Sequence, residues 1–398
     1  MSVPDALRVR NAGIVYAQIL LIVGLTLACA LTGRPSYISG DNVANLLEQA
    51  SLVAILAIFM TVVLVSGNFD LSVGSVAALA AAVSLGTIDE HGIWFAAALA
   101  LLSGLAVGLV NGLIVQFVGI NAFIVTLGTL TGVRGLVLIL TDGRTITVAE
   151  DRSFDALATI QGGFWNVPLM AIGGAAALCV AAVLLARRRR VGRDVVLWLI
   201  AGASLVGLGL VGDVTFRYAK TVYYLLVLTV VVWAVLRFTV VGRRLYAVGA
   251  NAEAARLSGI NVARYKIMPF VLSGLAAAVV GILYGAKLSA VNPTALQGTE
   301  LEVLAAAILG GTSLFGGSGS VVKSVIGALF LFTIANGFNV LNLGANYQDL
   351  IEGVILIAAA ATYTVASRRK DSPPSAPAPE AAAPIAPAAT RPQEVLNG

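Results

Sequence analysis

Long apolar stretches alternate along the chain with short polar ones. The apolar stretches lie near 14–32, 50–66, 71–88, 93–117, 122–140, 168–186, 195–211, 221–238, 267–289, 301–314, 320–341 and 348–366. Nearly all have the length of about 20 residues that a helix needs to cross the hydrocarbon of a bilayer. Backbone polar groups must be satisfied internally there, which selects helices over open strands. The pattern predicts an all-α fold, a polytopic transmembrane helical bundle of about 12 hydrophobic segments. It also predicts a short N-terminal segment 1–13, a transmembrane domain 14–366 and a C-terminal tail 367–398.

Composition sharpens this picture. Of 398 residues 59% are hydrophobic and 11% charged, with a mean hydropathy of +0.93. Soluble domains carry about 45–50% apolar and about 25% charged residues, so a soluble enzyme and a nucleic-acid module are both excluded. The net charge of +5 is a matter of placement. With the N-terminus in the cytosol and sides alternating, Arg8 and Arg10, Arg187 to Arg190, Arg243, Arg244, Arg256, Arg264, Lys266 and Arg368 to Lys370 all fall inside. Asp89, Glu90, Asp142, Glu150, Asp151, Asp155 and Asp213 fall outside. That is the positive-inside bias, and an even number of crossings with both termini cytosolic satisfies it.

The tail from Asp371 holds seven of the twelve prolines amid Ala, Ser and Glu, and is expected to be disordered. Cys29 and Cys179 sit in apolar spans as small core residues, without a disulfide framework or metal site. His91 is the only histidine and has no metal or triad partner in the sequence. Ala28-Cys29-Ala30 has the look of a leader cleavage site, but the run before it exceeds the usual 7–15 residues, so it reads as a retained first helix. Residues 142–166 form the longest outer loop, with room for a short helix lying on the membrane surface. The hairpin at 168–211 has almost no polar side chains and is expected to face lipid at the periphery.

Two glycine-rich breaks interrupt the apolar pattern, at 66–74 and 309–319, one in each half. Transporters use broken or re-entrant helices of this kind beside the substrate path. Asp70 lies in the first break, where a carboxylate costs about 2.5–3.5 kcal/mol at mid-membrane unless paired or solvated. It either caps the helix starting at Leu71, accepting from N–H groups near Val73, or lines the pathway with Asn68 and Ser72. Asn121, Thr126, Thr312, Asn336 and Asn339 are further polar groups in or beside spans, and neutral amides and hydroxyls suit an uncharged polyhydroxylated solute. Asn292, Pro293 and Thr294 mark the outer end of a span, followed by Glu300 and Glu302 at a helix start. The loop 242–266 contains a compact helix signal: Asn251 as N-cap, Ala252 to Leu257 as helix formers, Gly259 as stop. It is either a docking helix for a partner or a solvated connector.

Gly319 to Ser324 ends in Lys-Ser but lacks the glycine spacing of a phosphate loop, and no triad, metal cluster or dinucleotide fingerprint appears. A stand-alone ion-coupled carrier would want buried acids, for which Asp349 and Glu352 in the last span are the best support.

Three blocks then carry a resemblance. Phe69-Asp-Leu-Ser-Val-Gly74, Tyr246-Ala-Val-Gly-Ala-Asn-Ala-Glu-Ala-Ala-Arg-Leu-Ser-Gly-Ile260, and Asn292-Pro293 through the Ile-Leu-Gly-Gly-Thr-Ser-Leu-Phe-Gly-Gly core ending at Gly317 resemble the permease subunits of bacterial monosaccharide ABC importers, the ribose/xylose/galactoside branch. With Asn336-Gly337-Phe338-Asn339 the likeness covers about residues 50–366. Asn68 and Phe69 depart from the usual Gly and Ile of the first block. The resemblance implies a bacterial inner-membrane protein that is a homodimer of permease chains. Each chain would be docked on a cytosolic ABC ATPase and supplied by an extracytoplasmic sugar-binding protein. The chain itself would be no enzyme and bind no cofactor, ATP and magnesium being used by the ATPase. Asn251, Glu253, Arg256 and Gly259 would belong to the coupling helix. Asn68, Asp70 and Ser72 would form the inner mouth, and Asn292, Pro293, Thr294 and Glu300 would face the binding protein. Family members commonly have about ten spans, and the extra hairpin at 168–211 is similar to the xylose-type permeases. Xylose is therefore the expected cargo, with a nucleoside or autoinducer as alternatives within the superfamily.

Overall fold

The structure is a computed structural model that describes residues 9–161, 164–166, 217–343 and 353–354. The expected segments 168–186, 195–211 and 348–366 and the tail lie outside the described residues, and with them Cys179, Asp349 and Glu352.

Twelve α-helices are described: α1 Val9–Leu31, α2 Gly40–Val65, α3 Val73–His91, α4 Ile93–Leu113, α5 Ala122–Leu140, α6 Asp151–Ile160, α7 Lys220–Phe238, α8 Val240–Ala250, α9 Ala252–Leu257, α10 Val262–Leu288, α11 Thr299–Leu309 and α12 Val321–Leu341. A π-helical turn, Ile114–Val118, extends α4. Among the described residues strands are confined to two short antiparallel pairs, β1 Ile146–Thr147 with β4 Ala290–Val291, and β2 Phe164–Asn166 with β3 Arg217–Ala219. Eight of the described helices are long and apolar enough to cross a membrane. The fold is an all-α, polytopic membrane bundle.

Helix α2 is the centre of the bundle, buried on nearly every side from Ser51 to Val65. Against it pack α12, α11, α10 and α7, while α3 and α4 lie along α10 and α1 lies on the outside of α12. Lipid cannot drive helices together by a hydrophobic effect, so close backbone packing does it. Helix α4 places Gly104, Gly108 and Gly112 four residues apart on one stripe against α10. A methyl group at Gly104 would overlap the Gly274 carbonyl, and one at Gly108 the Phe270 carbonyl. The far faces of α1, α4 and α5 expose Leu20, Leu102 and Ile124, as lipid-facing helices do.

The ends of the bundle differ. At one end α6, an amphipathic helix in the expected 142–166 loop, lies over α3, and the Asp89 carboxylate accepts from the Ala149 N–H at 3.0 Å. At the other end, helices α8 and α9 connect α7 to α10. Three boundaries differ from the sequence pattern. Helix α2 starts ten residues earlier than the apolar run, because its polar first turns have partners: Asn42 with Asn336, and Glu48 with Lys287 at 2.9 Å. Helix α10 reaches back to Val262, capped by Asn261 accepting from the Arg264 N–H. The apolar run 301–314 is no continuous crossing: α11 has 11 residues, about 16 Å of helix, and irregular backbone follows it.

Candidate functional site

The two breaks meet in space. After Val65 the chain turns at Gly67, whose φ of +80° suits glycine, and the Ser66 hydroxyl donates to the Val63 carbonyl while the Asn68 amide donates to Ser66. Helix α3 begins only at Val73. Asp70 therefore does not cap a helix at Leu71. One oxygen of its carboxylate accepts from the Ser72 N–H at 3.0 Å and the Ser72 hydroxyl at 2.6 Å. The Asn111 amide of α4 donates to Ser72 at 3.1 Å, and Thr129 of α5 donates to Asn111 at 2.6 Å. Asp70, Ser72 and Asn111 are all buried. This chain of hydrogen bonds ties the break to two neighbouring helices, and its polar groups are satisfied by protein, as irregular backbone at membrane depth requires.

Two stretches without helix flank α11, and the second of them is the second break. From β4 the chain descends through Asn292 to Gly298 without helix. The Asn292 side chain accepts from the Thr294 N–H and hydroxyl, and Arg134 of α5 donates to the carbonyls of Pro293 at 3.2 Å and Ala295 at 2.6 Å. Glu300 accepts from the Gly298 N–H at 3.2 Å and lies against Gly74, at the start of α3. Gly74 is the second residue of α3, a helix of 19 residues and about 28 Å. Helix α11 thus starts beside the first turn of α3. Below it, Gly316 and Gly317 pack on Gly67, Gly249 and Ala250, and the Gly317 N–H donates to the Val65 carbonyl at 3.0 Å. Thr312 joins a buried hydroxyl cluster in which Thr61 donates to Ser324 at 2.7 Å.

The residues expected in a pathway therefore divide among several places. Asn68 and Asn121 share a cavity of about 430 Å³ with Arg256 and Lys266, at the α8–α9 end of the bundle. Asp70 and Ser72 lie behind it with Asn111, in contact with α4. Thr312 stands in the hydroxyl cluster, and Thr126, buried in α5, donates to the Ala122 carbonyl. Asn292, Pro293 and Thr294 lie in the descending loop. Asn336 is apart from all of these, exchanging two hydrogen bonds of 3.0 and 3.1 Å with Asn42 at the α6 end. Close by, Tyr37 donates to the Thr333 carbonyl at 3.1 Å, and burial pushes its phenol up to about 12. Six residues of the site were not singled out from the sequence: Thr61, Asn111, Gln116, Thr129, Arg134 and Ser324. Arg134 carried a visible signal, a lone cation in an apolar span.

The helix expected at 251–259 is α9. The Asn251 side chain accepts from the Ala254 N–H at 2.9 Å, and Gly259, at φ +76°, ends it. Ala252 and Arg256, four residues apart, face the cavity; Glu253 and Leu257, also four apart, are exposed on another face.

Comparison with known proteins decides the family. Residues 42–360 match the family described as the branched-chain amino acid transport system / permease component. The chain belongs to this family. A ribose import permease protein of Haemophilus influenzae is 33% identical over 327 residues, covering 82% of this chain and 86% of that one. The ribose import permease protein of Escherichia coli K12 is 33% identical over 88% of this chain and 94% of its own length. The xylose transport system permease protein of the same strain is also 33% identical, over 89% and 93%. No solved structure matches the chain. The match spans both breaks and α9, so the permease family shares the stretch in which the candidate pathway lies.

Proposed function

We propose that the chain is the membrane-spanning permease subunit of an ABC importer that carries a monosaccharide, a pentose of the ribose/xylose kind, into the cytoplasm. The observation that carries this reading is identity of 33% to ribose and xylose permeases over 82–89% of the chain. The broken helices support it, since interrupted helices beside the substrate path are a transporter device. Both ribose and xylose relatives are 33% identical, and xylose is the cargo we select, on the resemblance of the extra hairpin to xylose-type permeases. The basic residues of α8, α9 and the start of α10 support a cytosolic position for that end of the bundle.

In this reading two permease chains form the conduit, a cytosolic ATPase subunit docks on α9, and an extracytoplasmic binding protein delivers the sugar at the α6 end. Closure of the ATPases moves α9. Helix α9 shares the cavity wall with Asn68 and Asn121, and α8 is packed through Gly249 on the Gly67 turn and the Gly316–Gly317 turn. Movement at α9 is thereby delivered to both breaks at once.

The first experiment is purification of the tagged chain from its native membranes in mild detergent, with mass spectrometry of what co-elutes. An ATPase subunit at about one copy per permease, with hydrolysis stimulated by xylose and its binding protein, is the expected result. Stimulation by ribose alone would replace the cargo, and repeated recovery of the chain alone would overturn the ABC reading.

A further inference from the structure

The cavity at the inner end contains more charge than a neutral sugar needs. Its polar lining is three carboxamides, Asn68, Gln116 and Asn121, and two cations, Arg256 and Lys266; none of the described residues lining it is acidic. The one acid of α9, Glu253, does not line it, and Asp70, two residues from Asn68, is buried and committed to Ser72. A polyhydroxylated neutral solute is held by amides and hydroxyls, whereas two cations converging with amide donors are the equipment for a phosphate.

A second feature points to the source of that phosphate. The α4–α5 connection that forms one wall is a π-helical turn closed by Gly119 at φ +79°, and such turns recur at functional sites. It presents Gln116 and Asn121 to the cavity while leaving Phe117, Val118 and Phe123 exposed by 68%, 67% and 50%. Polar groups inside and bare apolar side chains alongside match an amphiphile whose headgroup enters the cavity and whose chains lie on the turn. Basic pockets between spans on the cytoplasmic side bind anionic headgroups in this manner.

We propose that this cavity is a binding site for the phosphodiester of an anionic phospholipid of the inner leaflet, held by Arg256 and Lys266 with the three carboxamides. The site depends on the α8–α9 end facing the cytosol but not on the identity of the cargo. Because Arg256 is on α9, a bound headgroup bridges the Gly67 turn and α9, and lipid composition then tunes how firmly the two move together.

The test is native mass spectrometry of the purified full chain, titrated with phosphatidylglycerol, phosphatidylcholine and glycerol 3-phosphate. Phosphatidylglycerol is expected to bind the wild type more tightly than phosphatidylcholine. It should bind on the order of twentyfold more weakly to Arg256→Gln/Lys266→Gln, from about fivefold per cation near an anionic surface. Lys266→Gln alone, the variant to use if the double one does not fold, should show the fivefold loss. The control Arg243→Gln/Arg244→Gln removes two exposed cations of α8 and should keep wild-type affinity. Equal binding of the two lipids overturns the proposal, as does an equal loss in the control, which would mean a diffuse basic surface. Binding of glycerol 3-phosphate without phosphatidylglycerol also overturns it, in favour of a soluble phosphate ester.

Discussion

At the scale of single residues, the carboxylate of Asp70 is buried and engaged twice by one neighbour. It accepts twice from Ser72, and Ser72 in turn accepts from Asn111. Replacing Asp70 by Ala leaves the Ser72 N–H and hydroxyl buried without that acceptor, at a cost of about 1–3 kcal/mol. Asp70→Asn keeps one acceptor oxygen and loses the charge. We expect Asp70→Ala to lower the thermal midpoint of the detergent-solubilised protein clearly and Asp70→Asn to lower it less, with sugar uptake following stability in both. Normal stability with abolished uptake in Asp70→Asn would instead make the carboxylate a cargo contact. The sequence posed this choice but left it open, because the partner that matters, Asn111, is 41 positions away on another helix. Arg134 shows the opposite case: its isolation in an apolar span was plain to read, while the carbonyls it holds, on Pro293 and Ala295, were not.

At the scale of elements, hydropathy located eight spans among the described residues and misjudged some of their ends. Helix α5 runs from Ala122 to Leu140, matching the apolar run because Asn121 caps it locally, accepting from the Phe123 N–H. Helix α2 was underestimated because its polar first turns are satisfied by other helices, which no linear window sees. Helix α11 was overestimated, since an apolar run of this length fits a half-helix followed by a loop as well as a short crossing. The junction of α1, α2 and α12 contains the polar groups that extend α2, and Tyr37 is its buried phenol. Its ionisation is raised from 10.0 to about 12 by burial. The neutral form is thus favoured in the fold, so its contribution is complete below pH 10 and declines as the pH rises from 10 towards 12. Thermal unfolding of Tyr37→Phe should show a midpoint below wild type at pH 8, from loss of the bond to the Thr333 carbonyl, worth about 1 kcal/mol. The gap between the two proteins should narrow between pH 10 and 12. A constant gap would place Tyr37 in a more solvated setting.

At the scale of the whole molecule, the pathway is a product of convergence. Asn68, Asn121 and Arg256 are far apart in sequence, and only the packing of α8 and α9 against the two glycine turns assembles them. The blocks of sequence around them were legible as a family resemblance, but the cavity they build was not. The proposed coupling can be broken from outside. Glu253→Arg reverses a charge on the exposed face of α9, and Gly259→Trp forces a side chain onto a left-handed turn that glycine tolerates. Both variants should retain assembly of the membrane bundle while ATP hydrolysis by the co-purified complex no longer drives uptake in proteoliposomes. Normal uptake in both would remove α9 from the coupling role.

The β2–β3 pairing sets Asn166 opposite Arg217. Opposed residues in such a ladder are about 5 Å apart, so the polypeptide departs from and rejoins the bundle at a single address. The 50 residues of sequence between them therefore join two strand ends that are already neighbours. If that segment crosses the bilayer an even number of times, as the hairpin expected at 168–211 would, its removal preserves the sidedness of α7 to α12. A chain in which Asn166 is joined to Arg217 by an Asn-Gly turn should still elute as a monodisperse species with those helices in their native orientation, as read by cysteine labelling at the α8 end. Inverted or lost labelling would show that the seam is part of the frame after all. If the labelling is retained, the seam offers a socket for a fluorescent or affinity module that leaves both broken helices untouched.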